Sequence, residues 1–471
     1  MPVKTLSNRA MPAATFGSES LWDLPEGATS FTIEAGEHYR SSGSARYGAG
    51  YFELPQLPEG SHRVEVVDSG GDIVFDQNVT SGAMTKRVVG GELTISRDLS
   101  WDSLEVIEVF RSIIVPAGSE LKIYEGVIVF LHAGVNIEVS GRLTILGKRE
   151  KPVVFLCDDP FGSWGGIYLN GGTADISECL ITGGGGDDSR VFGHSQSQPV
   201  IGGKNAVITA RHLALVNNKG KAFGLENAEV TLTKSLIQRC DTGGEFAGCK
   251  VTIDGCWFLE MPNNDAIAVD DDNDALYFNS SRGADTSYVR NSYFVRGKDD
   301  AIDHNGALLV VSNCLIDGFD NEGLAGSNTR HVRVENCYIA NCEQGIEAGY
   351  GSPQVEVNHC TIRLCDTGLR FGDWYNWGCN GKLTVRNTIS IDNRLHNVWN
   401  HDVLTNAAVV GAIDLTYSIV NDTTYNSGVG CITGTPVLDE FGRLRTQPRQ
   451  PGWHAGSDSL DIGRLQKWPP E

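Results

Sequence analysis

His331–Pro353 reads HVRVENCYIANCEQGIEAGYGSP, and Gln354–Trp374 continues QVEVNHCTIRLCDTGLRFGDW. Each stretch runs V-x-V, an Asn or His, Cys, one residue, Ile, two residues, Cys, two residues, then Gly and an aliphatic. Cys314, Cys337 and Cys360 are spaced 23 apart, and so are Cys342 and Cys365. The residue at the first cysteine position can be followed outward as Cys179, Ser235, Cys256, Ser292, Cys314, Cys337, Cys360 and Thr388. A period in the twenties with V-x-V alternation and no 3.6-residue periodicity describes a solenoid whose repeat is a turn of short strands. The expected fold is all-β: a right-handed parallel β-helix with nearly three strands to a rung.

Stacked rungs bring equivalent residues about 4.8 Å above one another. Small Cys, Ser and Thr side chains then form an internal column, and free cysteine packs as a small hydrophobe. Spacing alone gives no support to a Cys337–Cys342 or Cys360–Cys365 disulfide, and without a CxxC pair a zinc site is not expected.

At 471 residues the chain exceeds one ordinary core, and its 56 glycines with few prolines fit many strands and tight turns. A net charge of −21 argues against nucleic acid or an anionic membrane as partner, and leaves neutral sugars open. No run reaches the roughly 18 apolar residues of a membrane span. MPVKTLSNRAMPAATFGSES at the start lacks the apolar segment of a signal peptide. Three parts are expected: a small β-sandwich-like accessory or capping domain over 1–91, the β-helix over 92–432, and a closing segment over 433–471. Oligomeric state is left open.

The run RSIIVPAGSELKIYEGVIVFLHAGVNIEVSGRLTILGKREKPVVFLC (111–157), with GSWGGIYL (162–169) and GTPVLDEFGRLRTQP…GSDSLDIG near the end, resembles the right-handed parallel β-helix repeat proteins of bacteria, of the pectin-lyase-like group. The resemblance spans about residues 92–463. It implies the fold; activity does not follow, because such rungs carry lyases, hydrolases, epimerases and adhesins.

Candidate chemistry lies after the second turn of each rung, in DDAIDHNG (299–306), NEGLAGSN (321–328), QGIEAGYG (344–351) and TGLRFGDW (367–374). With Ile302, Leu324, Ile346 and Leu369 pointing inward, alternation puts Asp303, Ala325, Glu347 and Arg370 on the outer face. Asp300, Glu322, Gln344 and Thr367 form a second row. Asp303 and Glu347 stand two rungs apart, roughly 9–10 Å, near the separation of an inverting acid and base; Asp300 and Glu322, one rung apart, are near the retaining one. Crowded carboxyls raise one pKa, whereas Arg370 beside Glu347 is expected to keep Glu347 ionised.

Three insertions interrupt the repeat: 182–203, 261–287 and 372–381. The last carries Trp374, Tyr375 and Trp377, which with Tyr350 are candidates for stacking on sugar rings. Lys298 and His304 flank the acidic rung as further substrate contacts, His304 equally readable as an interior histidine. VDDDND (269–274) offers Asp270, Asp271, Asp272 and Asp274 to a Ca²⁺ ion. NNDAI (263–267), KDDAI (298–302) and DNEGLAGS (320–327) are similar to the acidic rungs of polygalacturonases, which would make Asp265, Asp299 and Asp300 catalytic. Glu322 stands where that family has histidine, and its Arg-Ile-Lys step is missing.

The reading is a secreted or cell-surface type of protein that acts on a polysaccharide or oligosaccharide, cleaving a glycosidic bond by hydrolysis. Two alternatives stay open. One is a Ca²⁺-dependent polyuronide lyase with Lys298 or Arg370 as base. The other is a non-catalytic carbohydrate-binding or adhesion protein whose Asp residues merely cap turns.

Overall fold

The computed structural model describes the backbone of four strands within residues 28–81, and residues 85–465 other than 92, 150, 160–161, 262–272, 374–376 and 446–449. The four strands, Ala28–Ala35, Tyr39–Gly43, Gly60–Asp68 and Ile73–Ser81, form an antiparallel sheet with the first and third at its centre. All later strand pairings between named strands are parallel, beginning with Thr85–Val89 against Glu105–Val109. The chain divides into two units, residues 1–225 with 231–241 and residues 226–230 with 242–471.

In the first unit each strand lies between its equivalents one rung away, as Ile128 does between Val106 and Val154. Trp164 is fully buried, its indole N–H donating to the Thr182 carbonyl at 2.8 Å. In the second unit the rung read from the sequence resolves into three strands: His331–Glu335, Tyr338–Ala340 and Gln344–Gly351. Each pairs with its successor 23 residues on, as Val332 with Val355 and Ile339 with Ile362. Parallel strands joined by such crossovers wind right-handed in nearly all proteins. The fold is therefore a right-handed parallel β-helix. Among the described residues no helix is long and apolar enough to cross a membrane.

Alternation sends Val332, Val334, Val355 and Val357 into the core, and their neighbours Arg333 and Glu356 outward. The corner after this strand explains the N-C pairs. Asn291, Asn313, Asn336, His359 and Asn387 all have φ between 50° and 55°. That left-handed conformation costs most residues about 1–2 kcal/mol, and Asn tolerates it best after Gly. The turn points the Asn side chains along the stack: Asn313 donates to Asn291 Oδ1 at 3.2 Å and Asn336 to Asn313 Oδ1 at 2.7 Å. The next residue turns inward. Its hydroxyl or thiol donates back to the carbonyl two residues earlier, as Ser292 does to Arg290 at 2.6 Å and Cys337 to Glu335 at 3.3 Å. It also accepts an amide from the rung before: Cys256 N reaches Ser292 Oγ at 3.1 Å, and Cys314 N reaches Cys337 Sγ at 3.5 Å. Cys, Ser and Thr interchange here because the place needs a small group that both donates and accepts. All twelve cysteines are free thiols.

Insertions show as long rungs. Asp303 pairs with Ala325, 22 residues on, whereas Glu245 pairs with Tyr277, 32 residues on, the extra length including 262–272. The C-terminal segment is tied to the same corner: Arg464 is fully buried with Nη1 donating to Phe441 O at 3.1 Å, and His359 Nε2 meets Asp458 Oδ2 at 2.8 Å.

Asn313→Ala keeps neither the left-handed preference nor the side-chain ladder, and should lower the unfolding free energy by about 2–3 kcal/mol. Asn313→Gly restores the turn alone and should fall between the two. Urea unfolding of the three proteins measures this; an alanine variant as stable as the parent contradicts it.

Candidate active site

Strand register fixes which residues share a row. Asp303, Ala325, Glu347 and Arg370 are successive partners, followed by Trp399, and Tyr277 precedes them. Ile302, Leu324, Ile346 and Leu369 are fully buried. The second row runs Glu322, Gln344, Thr367 by direct pairing. Asp300 precedes Glu322, since Ala301 N bonds Glu322 O, and Asp274 precedes Asp300, since Ala275 N bonds Asp300 O.

This second row is wired from rung to rung. Asp274 Oδ1 accepts the amide of Asp300 at 3.3 Å, and Asp300 Oδ1 accepts the amide of Glu322 at 2.7 Å. The Gln344 amide group then donates to Glu322 Oε1, and Arg370 Nη1 donates to Gln344 Oε1 at 2.8 Å. Aspartates at turn positions thus cap the following rung, as turn chemistry requires. The same contacts stack carboxyl groups at rung spacing with little water between them.

The cost appears as retained protons. Burial, then the charges of Asp300 and Glu347, push the Glu322 carboxyl well above the usual carboxylate range. Glu347 behaves alike, which corrects the expectation that Arg370 holds it ionised. Arg370 Nη1 does lie 3.3 Å from Glu347 Oε1. Burial nevertheless outweighs the guanidinium, and Asp373 and Asp300 add to the upward push. Asp373 is buried too; a side chain built at Gly349 would meet both Glu347 Oε2 and Asp373 Oδ2. A single guanidinium cannot keep all these acids charged.

Other expectations also change. The outer row is covered: Arg370 is 0% and Glu347 6% exposed. Trp399 of the next rung lies on the guanidinium, 5.1 Å from its ring centroid. Arg370 is therefore out of reach as a base and acts by positioning Gln344 and Glu347. His304 is 0% exposed, its Nε2 against the Ala307 carbonyl, and burial pushes its pKa down to about 4. It is a neutral interior residue and cannot touch substrate. Lys298 is exposed, and Asp299 and Asp303 are half-exposed. Trp377 is 67% exposed with its ring edge-on to Tyr350 at 4.8 Å. Trp374, Tyr375, Asp265, Asp270, Asp271 and Asp272 lie outside the described residues.

Several residues were not singled out from the sequence. Tyr277 and Asn305 form a neutral shelf beside the acids: Asn305 Nδ2 donates to Tyr277 Oη at 2.6 Å, and Tyr350 Oη donates to Asn305 Oδ1 at 3.3 Å. Asp274 was read only as part of a metal-binding run. The signal was NDAL (273–276), which repeats DDAI (299–302) and is the true preceding rung. Asp274, Asp299 and Asp300 each offer a carboxylate oxygen within 4.8 Å of the others. Hard oxygen donors in that number suit Ca²⁺ or Mg²⁺; two of the three aspartates also accept backbone amides.

A family model described as "Right handed beta helix region" matches residues 264–390, the rungs that hold this site. Among solved structures the chain is similar to an alginate lyase from Paenibacillus sp. str. FPU-7, at 12% identity over 61% of this chain and 92% of that one, TM-score 0.30. It is also similar to the catalytic unit of a GH87 α-1,3-glucanase from Streptomyces thermodiastaticus strain HF3-3, at 9% over 85% and 87%, TM-score 0.31. A third similarity is to a family 28 exopolygalacturonase of Yersinia enterocolitica, at 10% over 84% and 88%, TM-score 0.26. No curated protein sequence matches. The family match and the strand ladder agree: this chain is a right-handed parallel β-helix protein.

A carboxyl with a raised folded-state pKa stabilises the protein below the unfolded pKa and loses that contribution as pH rises toward the folded value. Glu322→Gln cannot titrate. Urea unfolding across a pH series should show the variant gaining stability over the parent as pH rises from about 4.5 toward neutrality. Parallel curves would contradict the protonated Glu322.

Proposed function

We propose that this protein cleaves glycosidic bonds of a polysaccharide by hydrolysis, with Glu347 as general acid and Asp303 as general base. The observation that carries the reading is the row Asp303–Ala325–Glu347. Two carboxyl groups stand two rungs apart, roughly 9–10 Å at the backbone, with only a methyl group between them. Side-chain tilt brings such a pair into the range of about 6.5–9.5 Å that leaves room for a water, the geometry of inversion. Their environments differ in the direction required. Glu347 is buried and retains its proton, so it can protonate the leaving oxygen, while Asp303 is half-exposed and reaches water. Arg370 and Gln344 orient the acid end, and the Glu322–Asp300 contact rigidifies the rungs beneath. Tyr350 and Trp377 provide an aromatic platform beside the row. A polymer substrate of this kind lies outside cells, so a secreted or surface location belongs to the same proposal.

A second reading has one observation in its favour. Asp274, Asp299 and Asp300 converge closely enough to hold a divalent cation, which would supply charge neutralisation to a uronate during elimination. Lys298 is the exposed base nearby in sequence. The capping bonds from Asp274 and Asp300 to backbone amides favour a third reading, binding alone.

Incubation with neutral and uronate polysaccharides, with and without EDTA, separates the three when reducing ends and absorbance near 235 nm are followed together. Hydrolysis predicts reducing ends without a chromophore, insensitive to EDTA. It also predicts inversion at the anomeric carbon by proton NMR, and about 10²–10⁴-fold lower kcat for Asp303→Asn and Glu347→Gln in folded protein. Retention, or an EDTA-sensitive chromophore, overturns the assignment.

A further inference from the structure

We infer that the groove takes uncharged glycans and rejects uronates, an inference that rests on reading these rungs as a polysaccharide site. Charge on the two rows is one-sided. Asp274, Asp300, Asp303, Glu322 and Glu347 occupy successive rungs, and Asp299 stands beside Asp300. Among the described residues of the two rows Arg370 is the cation, and it is fully buried beneath Trp399 with one nitrogen shared between Gln344 and Glu347. A substrate carboxylate approaching from solvent cannot reach it. Like charges brought together across an interface cost several kcal/mol and exclude a partner more effectively than contacts select one.

The groups that do face a ligand are uncharged. Tyr277, Asn305 and Tyr350 form a hydrogen-bonded shelf of hydroxyl and amide groups, and exposed Trp377 extends it with an aromatic edge. Hydroxyls of a neutral sugar find donors and acceptors here, and its C–H face finds a ring. Two protonated acids, Glu322 and Glu347, also offer hydroxyl donors without demanding a counter-charge.

Binding is measured apart from cleavage, by affinity electrophoresis and calorimetry of the full chain. The probes are oligosaccharides of matched length: neutral glucose and mannose oligomers, galacturonate and mannuronate oligomers, and glucosamine oligomers, each in EDTA and in calcium. Expected is binding of at least one neutral glycan, little changed from about 0.05 to about 0.5 M salt, with uronates at least tenfold weaker in both buffers. Trp377→Ala should weaken the neutral glycan about tenfold, the effect of losing a well-placed aromatic contact. Uronate binding as tight as neutral binding overturns the inference, including where it needs calcium, since a bound cation would then be the recognition element. Preference for glucosamine oligomers overturns it as well, as does an unchanged affinity in Trp377→Ala. Neutral binding without turnover leaves the inference standing and removes the hydrolase proposal. Binding of no probe removes both.

Discussion

The whole molecule depends on one corner. A residue with φ near 50° reverses the chain, and the next places a hydroxyl or thiol where it donates to its own rung and accepts from its neighbour. Each rung is thereby fixed both in direction and in height. Without that tie, parallel strands are free to slip by two residues at little loss of apolar burial. Asparagine at the turn adds a side-chain ladder to the backbone one, most fully where Asn291, Asn313 and Asn336 follow one another.

The site applies the same device at another corner with acids in place of amides and thiols. Asp274 and Asp300 cap the amide of the rung that follows them. Fixed rung height then stacks acids at an interval where mutual repulsion cannot be relieved by moving apart. Burial under the side chains of the next rung prevents relief by water. Protonation remains, and Glu322 and Glu347 retain their protons for that reason. A structural economy of the solenoid thus becomes a source of proton donors. Arg370 is part of this balance: fully buried, it tempers the repulsion and ties Gln344 to Glu347.

Much of this was legible in the residues. The 23-residue spacing of Cys314, Cys337 and Cys360 gave the rung, and period-two alternation placed Asp303, Ala325, Glu347 and Arg370 in one row. Burial was not legible, because it depends on what a neighbouring rung lays across a position. Nothing near Arg370 in sequence says that Trp399, 29 residues on, will cover it. Asp274 was misplaced for a related reason. Insertions make the rungs unequal, so NDAL and NNDAI compete for the same rung until strand pairing decides. His304 could be read either way until its burial was known.

The central claim is that rung stacking holds carboxyl groups protonated at neutral pH. Infrared difference spectroscopy observes that state directly, through the carbonyl stretch of an undissociated carboxylic acid. The account predicts this band in the parent protein at neutral pH, reduced in Glu322→Gln and reduced separately in Glu347→Gln. A spectrum with carboxylate bands alone at neutral pH, unchanged by either substitution, would contradict it.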